Sequence, residues 1–155
     1  MKLIIIIALV LCMPGLTRAQ EQGIRFDKSM SWREVVEKAT RENKYIYVDV
    51  MATWCGPCRG AIASFEPRKN KFKDKDVVFV YITNESSPES KWLEMVAGIE
   101  GDHYRLNRKQ WDYICDYFGV DGIPSYVIVD RDGNARLRND LRGSGMLEQE
   151  LAGML

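Results

Sequence analysis

The sequence has few of the residues that usually build metal centres. It contains one histidine and four cysteines among 155 residues. Cys55, Cys58, His103 and Cys115 have the right chemistry for a zinc site. Their spacing matches none of the usual paired zinc-binding knuckles, and we therefore expect no bound metal.

The sequence also has no excess of charge of either sign. Lys plus Arg number 22 and Asp plus Glu number 22, which gives a formal net charge of zero. A neutral chain has no electrostatic reason to bind nucleic acid or an anionic membrane surface, so we expect neither partner. Repeats, linkers and low-complexity segments are absent, and the chain length suits one globular domain.

The longest apolar run lies at the amino terminus. Lys2 precedes the run LIIIIALVLCM, and Thr17-Arg18-Ala19 resembles a small-x-small cleavage site. We therefore interpret residues 1–19 as a secretory signal peptide and residues 20–155 as the exported domain. The run is shorter than the about 20 residues that span a membrane, and an uncleaved anchor is the alternative.

Removal of the signal peptide would take Cys12 with it and leave one pair of cysteines and one further thiol. Cys55 and Cys58 are separated only by Gly56 and Pro57. A disulfide that closes so short a loop restricts the unfolded chain little, so a redox role is favoured over an inert staple. Cys115 lies on an apolar helical stripe and is predicted to be a buried structural thiol.

Strand-like and helix-like segments alternate along the chain. The predicted strands are YIYVDVMA, VVFVYI, HYRL and a hairpin in SYVIVDRDGNARLR that turns at Asp132-Gly133. Helices are predicted after a capping box at Ser31, from the cysteines to Pro67, after an N-cap at Ser87, in RKQWDYICDYFG and in MLEQELAGML. The basic stretch RKNKFKDKD is predicted to be a solvated connection. This alternation predicts an α/β fold with a sheet covered on both faces.

The positions of Cys55, Cys58 and Asp49 suggest thiol chemistry. A helix that begins at Cys55 directs its free amides and positive dipole end at that sulfur, which favours the thiolate. Cys58, one turn further, could attack a mixed disulfide without a new encounter. Asp49 interrupts an apolar strand, so its pKa should rise and let it exchange a proton with Cys58, unless the strand lies at an edge and exposes it.

Two motifs together resemble the thioredoxin family. VDVMATWCGPCRG resembles its active-site segment, and VDGIPSY resembles its downstream loop, in which Pro124 would carry a cis peptide bond. The signal peptide and an extra helix and strand at residues 88–106 are similar to the exported TlpA/ResA-like branch. The resemblance implies a thioredoxin fold: a mixed central sheet, helices on both faces and an inserted helix–strand unit before the cis-Pro loop.

The resemblance also implies roles for individual residues. The implied catalytic residues are Cys55, Cys58, Asp49 and Glu85. The implied substrate-binding residues are Trp54, Gly56, Pro57, Ile123 and Pro124. Two positions depart from the family pattern: Ala63 replaces a helix-kinking proline, and VVFVYI lacks the lysine that many thioredoxins carry there.

The resemblance finally implies a function. It predicts a periplasmic, monomeric thiol:disulfide oxidoreductase without a cofactor, which reduces disulfides in other proteins. A DsbD/CcdA-like membrane thiol carrier would supply its electrons, and it could serve cytochrome c maturation. Two alternatives stay open, namely a disulfide oxidase or isomerase and a thioredoxin-like binding module whose cysteines are incidental.

Overall fold

The computed structural model describes residues 32–155. The predicted signal peptide, residues 1–19, and the predicted capping residue Ser31 lie outside the described residues. Five strands are present: β1 Tyr45–Val50, β2 Val77–Asn84, β3 Asp102–Leu106, β4 Ser125–Val129 and β5 Ala135–Leu137. Five α-helices accompany them: α1 Trp32–Arg41, α2 Gly56–Lys69, α3 Glu89–Val96, α4 Arg108–Phe118 and α5 Ser144–Met154.

The strands form one mixed sheet in the order β3-β2-β1-β4-β5. Strands β1, β2 and β3 are parallel, whereas β4 is antiparallel to both β1 and β5. The central position of β1 explains its apolar sequence, because both of its faces are covered. In register, Asp49 lies between Tyr81 of β2 and Tyr126 of β4. The alternative that Asp49 lies on an exposed edge strand is therefore wrong.

Helices cover both faces of the sheet. On one face, Val35 and Ala39 of α1 pack with Ile114 and Phe118 of α4 and with β1 residues such as Val48. On the other face, α2 and α5 contribute a second core cluster that includes Phe65, Leu147 and Leu151. This arrangement confirms the predicted thioredoxin fold.

The unit formed by α3 and β3 supplies one edge of the sheet. β3 pairs in parallel with β2, and Trp92 and Val96 of α3 pack in the same cluster as Cys55 and Cys58. The predicted N-cap at Ser87 is wrong. Pro88 occupies the cap position, since the buried Ser87 hydroxyl is engaged by Thr83 instead.

Two predictions about the end of α2 are also wrong. The helix does not end at Pro67 but continues through it to Lys69. A proline in the last turn removes a single helical hydrogen bond, and packing beyond it can compensate. The stretch RKNKFKDKD is not a solvated connection, because Lys69 and Phe72 are buried. Phe72 packs against Phe65 and Phe79, at ring-centroid distances of 6.5 and 6.4 Å.

Candidate active site

The cysteine pair lies between the carboxyl end of β1 and the first turn of α2. Cys55 and Cys58 form a disulfide with their Cα atoms 5.3 Å apart. Cys55 is the N-cap of α2, and the amide N–H of Cys58 donates to its Sγ at 3.2 Å. Cys55 is 5% exposed and Cys58 is fully buried. The two sulfurs are therefore unequal in solvent access and in the groups that face them.

The start of α2 favours negative charge on Cys55. The first amides of a helix have no partner within the helix, and the helix dipole places partial positive charge at that end. The Cys58 amide already points at the Cys55 sulfur, so a thiolate formed there gains a charge-assisted hydrogen bond. Pro57 has no N–H, and a proline at this first turn costs the helix little.

A loop after β2 holds the residues that precede Cys55. The Trp54 indole is 61% exposed, and its Nε1 donates to Ser86 Oγ at 3.0 Å. The amide of Thr53 donates to Ser87 Oγ at 3.0 Å, and that hydroxyl also lies 2.7 Å from Thr83 Oγ1. These contacts are not evident from the sequence, in which Ser87 before Pro88 indicates only a helix cap.

The predicted downstream loop has the expected cis peptide bond between Ile123 and Pro124. Ile123 packs against the cluster that contains both cysteines. The hydroxyl of Ser125 donates to the carbonyl of Gly122 at 2.6 Å, and Arg142 Nη2 donates to the carbonyl of Pro124 at 3.1 Å. These hydrogen bonds hold the loop on both sides of Pro124.

Asp49 is an isolated carboxyl group in the core. Asp49 is 3% exposed, and its Oδ1 has no hydrogen-bond partner among the described residues. It borders a cavity of about 20 Å³ together with Tyr47, Tyr81 and Tyr126. Burial raises the pKa of Asp49 from 3.8 to about 8, and the charge of Lys69 opposes this rise. The neutral carboxyl is favoured because the charged form would lose its hydration.

Lys69 is a buried cation in a stretch whose sequence predicted a solvated connection. It is 4% exposed, and its Nζ donates to Glu66 Oε2 at 2.8 Å and to Tyr81 Oη at 3.1 Å. It also donates to the carbonyl of Glu100. Burial lowers the pKa of Lys69, while the hydrogen bond to Glu66 counteracts this effect.

A helical spacing in the sequence could have revealed Lys69. It follows Ile62 and Phe65, both buried, at the intervals of a single helix face. The prediction that α2 ends at Pro67 hid this pattern. The charge of Lys69 acts on Asp49 from α2, whereas VVFVYI of β2 contains no lysine.

Glu85, His103 and Cys115 have surroundings different from those of Asp49. Glu85 is exposed, and its Oε2 accepts from the amide of Arg108 at 3.2 Å, at the start of α4. His103 is fully buried, stacks on Tyr81 at a centroid distance of 5.0 Å, and its Nε2 lies 2.8 Å from the carbonyl of Ile99.

Cys115 is half-buried on α4 and forms no disulfide. Burial raises the pKa of its thiol, and the neighbouring Asp112 and Asp116 add to this rise. Both effects disfavour the thiolate, which is the reactive form. Within residues 32–155, no group of three or more His, Cys, Asp or Glu side chains could hold a metal ion.

Comparison with known proteins identifies the family. A family model described as thioredoxin-like matches residues 43–135, which hold the cysteine pair, Asp49 and the cis-Pro loop. The chain belongs to the thioredoxin-like family.

Among curated relatives of this family, thioredoxin H2 of Arabidopsis thaliana is 34% identical over 108 residues, covering 70% of this chain and 62% of that protein. Nucleoredoxin of Danio rerio is 27% identical over 112 residues, which cover 66% of this chain. The chain matches only 25% of the length of that nucleoredoxin.

Solved structures agree with this assignment. A proposed thiol-disulfide oxidoreductase of Bacteroides vulgatus is 29% identical with a TM-score of 0.55, covering 74% of this chain and 78% of that one. The thioredoxin domain of another oxidoreductase from B. vulgatus shares the fold, with a TM-score of 0.65 at 19% identity and coverage of 77% and 84%. The comparisons support the thiol:disulfide oxidoreductase class. Of the helices between residues 32 and 155, none combines the length and the apolar character needed to cross a membrane.

Proposed function

We propose that this protein is an exported, TlpA/ResA-like thiol:disulfide oxidoreductase that reduces disulfides in client proteins. The observation that carries the proposal is the hydrogen bond from the Cys58 amide to the Cys55 sulfur at the start of α2. It supplies a thiolate-stabilising donor to the more accessible sulfur and keeps the second sulfur within one helical turn.

The reduced pair transfers two electrons to the client in two steps. The Cys55 thiolate attacks one sulfur of the client disulfide, forms a mixed disulfide and releases the other client sulfur as a thiolate. Cys58 then loses its proton and attacks Cys55 Sγ. This second attack closes the Cys55–Cys58 disulfide and releases the second client thiolate.

Asp49 is the proposed proton acceptor for Cys58. Because Cys58 is fully buried, bulk water has poor access to its proton. Tyr81 and Ile62 belong to the cluster that contains Cys58, and both also line the cavity beside Asp49. That cavity has room for about one water molecule, which is the proposed proton relay to Asp49. A carboxyl with a pKa of about 8 can both accept and return a proton near neutral pH.

The client polypeptide is proposed to bind beside the cysteines. Trp54, Gly56 and Pro57 are exposed next to Cys55. Ile123 packs against the same cluster as the cysteines, and Pro124 follows it through the cis bond. Such a surface suits an extended segment held by backbone contacts, which reads little side-chain identity. Glu85 is the fourth proposed catalytic residue and directly precedes Ser86, whose Oγ accepts from Trp54 Nε1.

The protein is proposed to be exported and to be reduced again after each reaction cycle. The signal peptide at residues 1–19 would direct the chain to the periplasm, where it would act as a monomer. A reductase in an oxidising compartment needs an electron source, and a DsbD/CcdA-like membrane thiol carrier is the proposed donor. Cytochrome c maturation is the proposed setting.

Reduction of insulin by dithiothreitol tests the activity. We expect the purified protein to accelerate insulin precipitation, and a variant that carries both Cys55→Ser and Cys58→Ser to give only the background rate. The Cys115→Ser variant is the matched control, because it removes a thiol outside the pair and should retain the rate. An unaccelerated reaction with the natural protein would favour a binding module.

A further inference from the structure

The turn that follows β2 lies beside the residues that precede the cysteine pair. The Oδ1 atom of Asn84, the last residue of β2, accepts from the amide of Ser86 at 2.9 Å. The carbonyl of Asn84 accepts from the amide of Ser87 at 3.0 Å. These bonds fix the shape of the turn, and its position relative to neighbouring segments depends on contacts from outside it.

Arg105 of β3 supplies one of these contacts. Its Nε donates to the carbonyl of Ser87 at 2.8 Å, and its Nη2 lies 3.5 Å from the carbonyl of Glu85. The side chain is half-buried. A hydrogen bond from a charged donor is stronger than one between neutral groups. The guanidinium therefore ties β3 to the turn on both sides of Ser86.

The turn in turn holds the exposed ring beside the cysteines. Ser86 lies between the two carbonyls that face Arg105, and its Oγ accepts from Trp54 Nε1 at 3.0 Å. The hydroxyl of Ser87 accepts from the amide of Thr53 at 3.0 Å. Because the Trp54 ring is 61% exposed, packing alone fixes it poorly. A ring that is free to turn must be ordered when a client binds, which costs affinity.

We propose that Arg105 is a positioning residue for client binding: it holds the turn at residues 85–87, and the turn holds the Trp54 indole in place before a client arrives. This inference rests on the proposed function, in which clients bind across Trp54. The contacts of Arg105 end at the residues before the cysteine pair, whereas the attacking sulfur receives its donor from α2. A disulfide too small to need the Trp54 surface should therefore be reduced without help from Arg105.

Insulin reduction by dithiothreitol, measured at several insulin concentrations, tests the proposal through KM and kcat. Arg105→Met keeps an apolar stem and removes every donor. It should raise the KM for insulin about threefold to tenfold, the cost of ordering one side chain on binding, and change kcat by less than about twofold. Reduction of oxidised glutathione by the prereduced protein should also change by less than about twofold.

Arg108→Met is the matched control, because this neighbouring side chain is 88% exposed and pairs with Asp112. It should leave the KM for insulin unchanged. Arg105→Lys, which keeps a charged donor, should recover part of the KM. An unchanged KM in Arg105→Met, or an equal loss with insulin and with glutathione, would overturn the proposal.

Ser86→Ala removes the last link to the indole without changing Arg105. It should reproduce the raised KM, and the double variant with Arg105→Met should lose little more, since both changes act through one contact. If Arg105→Met does not fold, Arg105→Lys replaces it in this cycle with a smaller expected effect. Independent, additive rises in KM would overturn the proposal.

Nuclear magnetic resonance relaxation of the Trp54 indole N–H gives a readout that needs no activity. The signal is assigned by its loss in Trp54→Phe. Its order parameter should fall from about 0.85, the value of a rigid group, towards about 0.6 in Arg105→Met and stay unchanged in Arg108→Met. An unchanged order parameter in Arg105→Met would overturn the proposal even if the natural protein reduces insulin. A natural protein that reduces neither insulin nor glutathione would instead overturn the proposed function, and with it the role of Arg105 in client binding.

Discussion

A Cys58→Ser variant should accumulate mixed disulfides with client proteins in its native compartment, and a Cys55→Ser variant should trap far fewer. The first variant keeps the nucleophile at the start of α2 but lacks the thiol that releases the client. Of the pair, the second keeps only the fully buried Cys58 thiol, which a protein disulfide cannot easily reach. Both variants should lose nearly all catalytic disulfide reduction.

The trapping is measured by non-reducing electrophoresis of the two variants and by identification of the attached proteins. Cys115→Ser combined with Cys58→Ser is the matched control, since it shows that the trapped clients are bound through Cys55. Equal trapping by the two single variants, or trapping by Cys55→Ser alone, would reverse the assigned roles. An absence of trapped clients with both would support the binding-module alternative.

Asp49→Asn should change both the pH dependence of stability and the resolving step. In the folded, oxidised protein the pKa of Asp49 is about 8, compared with 3.8 for a free carboxyl. Between these values the folded state holds a proton that the unfolded state releases. The stability from this group is therefore complete below about pH 4 and falls as pH rises to about 8, by up to about 1.4 kcal/mol per pH unit.

Denaturant unfolding of both proteins across this pH range measures the effect. The free energy of unfolding of Asp49→Asn relative to the natural protein should rise with pH through the window and level off above it. In single-turnover kinetics, the variant should slow resolution by Cys58 on the order of 10², with a smaller effect on attack by Cys55. A stability difference that does not change between pH 4 and pH 8 would show that Asp49 titrates as a free carboxyl.

Lys69→Met provides an independent check of the raised pKa of Asp49. The charge of Lys69 lowers the pKa of Asp49, so its removal should move the titration of Asp49 to higher pH. Lys71→Met is the matched control, because the Lys71 side chain is 64% exposed and pairs with Glu148 instead. An Asp49 titration that is the same in both variants would remove Lys69 from the account.

Local signals predicted the core of the site. The cysteine spacing and the position of Cys55 at the start of a helix depend on a few neighbouring residues, whereas the cis bond before Pro124 was implied by the resemblance to thioredoxins. The burial of Asp49 followed from the apolar run around it. The α/β class with a covered sheet was predictable for a similar reason, because the periods of strands and helices lie in short windows of sequence, whereas the thioredoxin fold itself was implied by the resemblance of two motifs.

The surroundings of the site were less predictable, because they depend on contacts between distant segments. The burial of Lys69 requires α2 to continue through Pro67 and requires partners from β2 and from the loop that contains Glu100. The Ser87 hydroxyl accepts from the amide of Thr53, which lies 34 residues earlier in the chain, and so holds the residues before Cys55. From local sequence alone, a basic stretch usually indicates a solvated loop, and a serine before a proline usually indicates a helix cap. The tertiary contacts of Lys69 and Ser87 override both interpretations.

The redox potential of the Cys55–Cys58 pair is the most direct test of the proposed direction of electron flow. It is measured by equilibrating the protein with reduced and oxidised glutathione and quantifying the free thiols of the pair. A reductase should have a potential near that of thioredoxin, about −270 mV. A potential near that of DsbA, about −120 mV, would contradict the account and make the protein an oxidant of its clients.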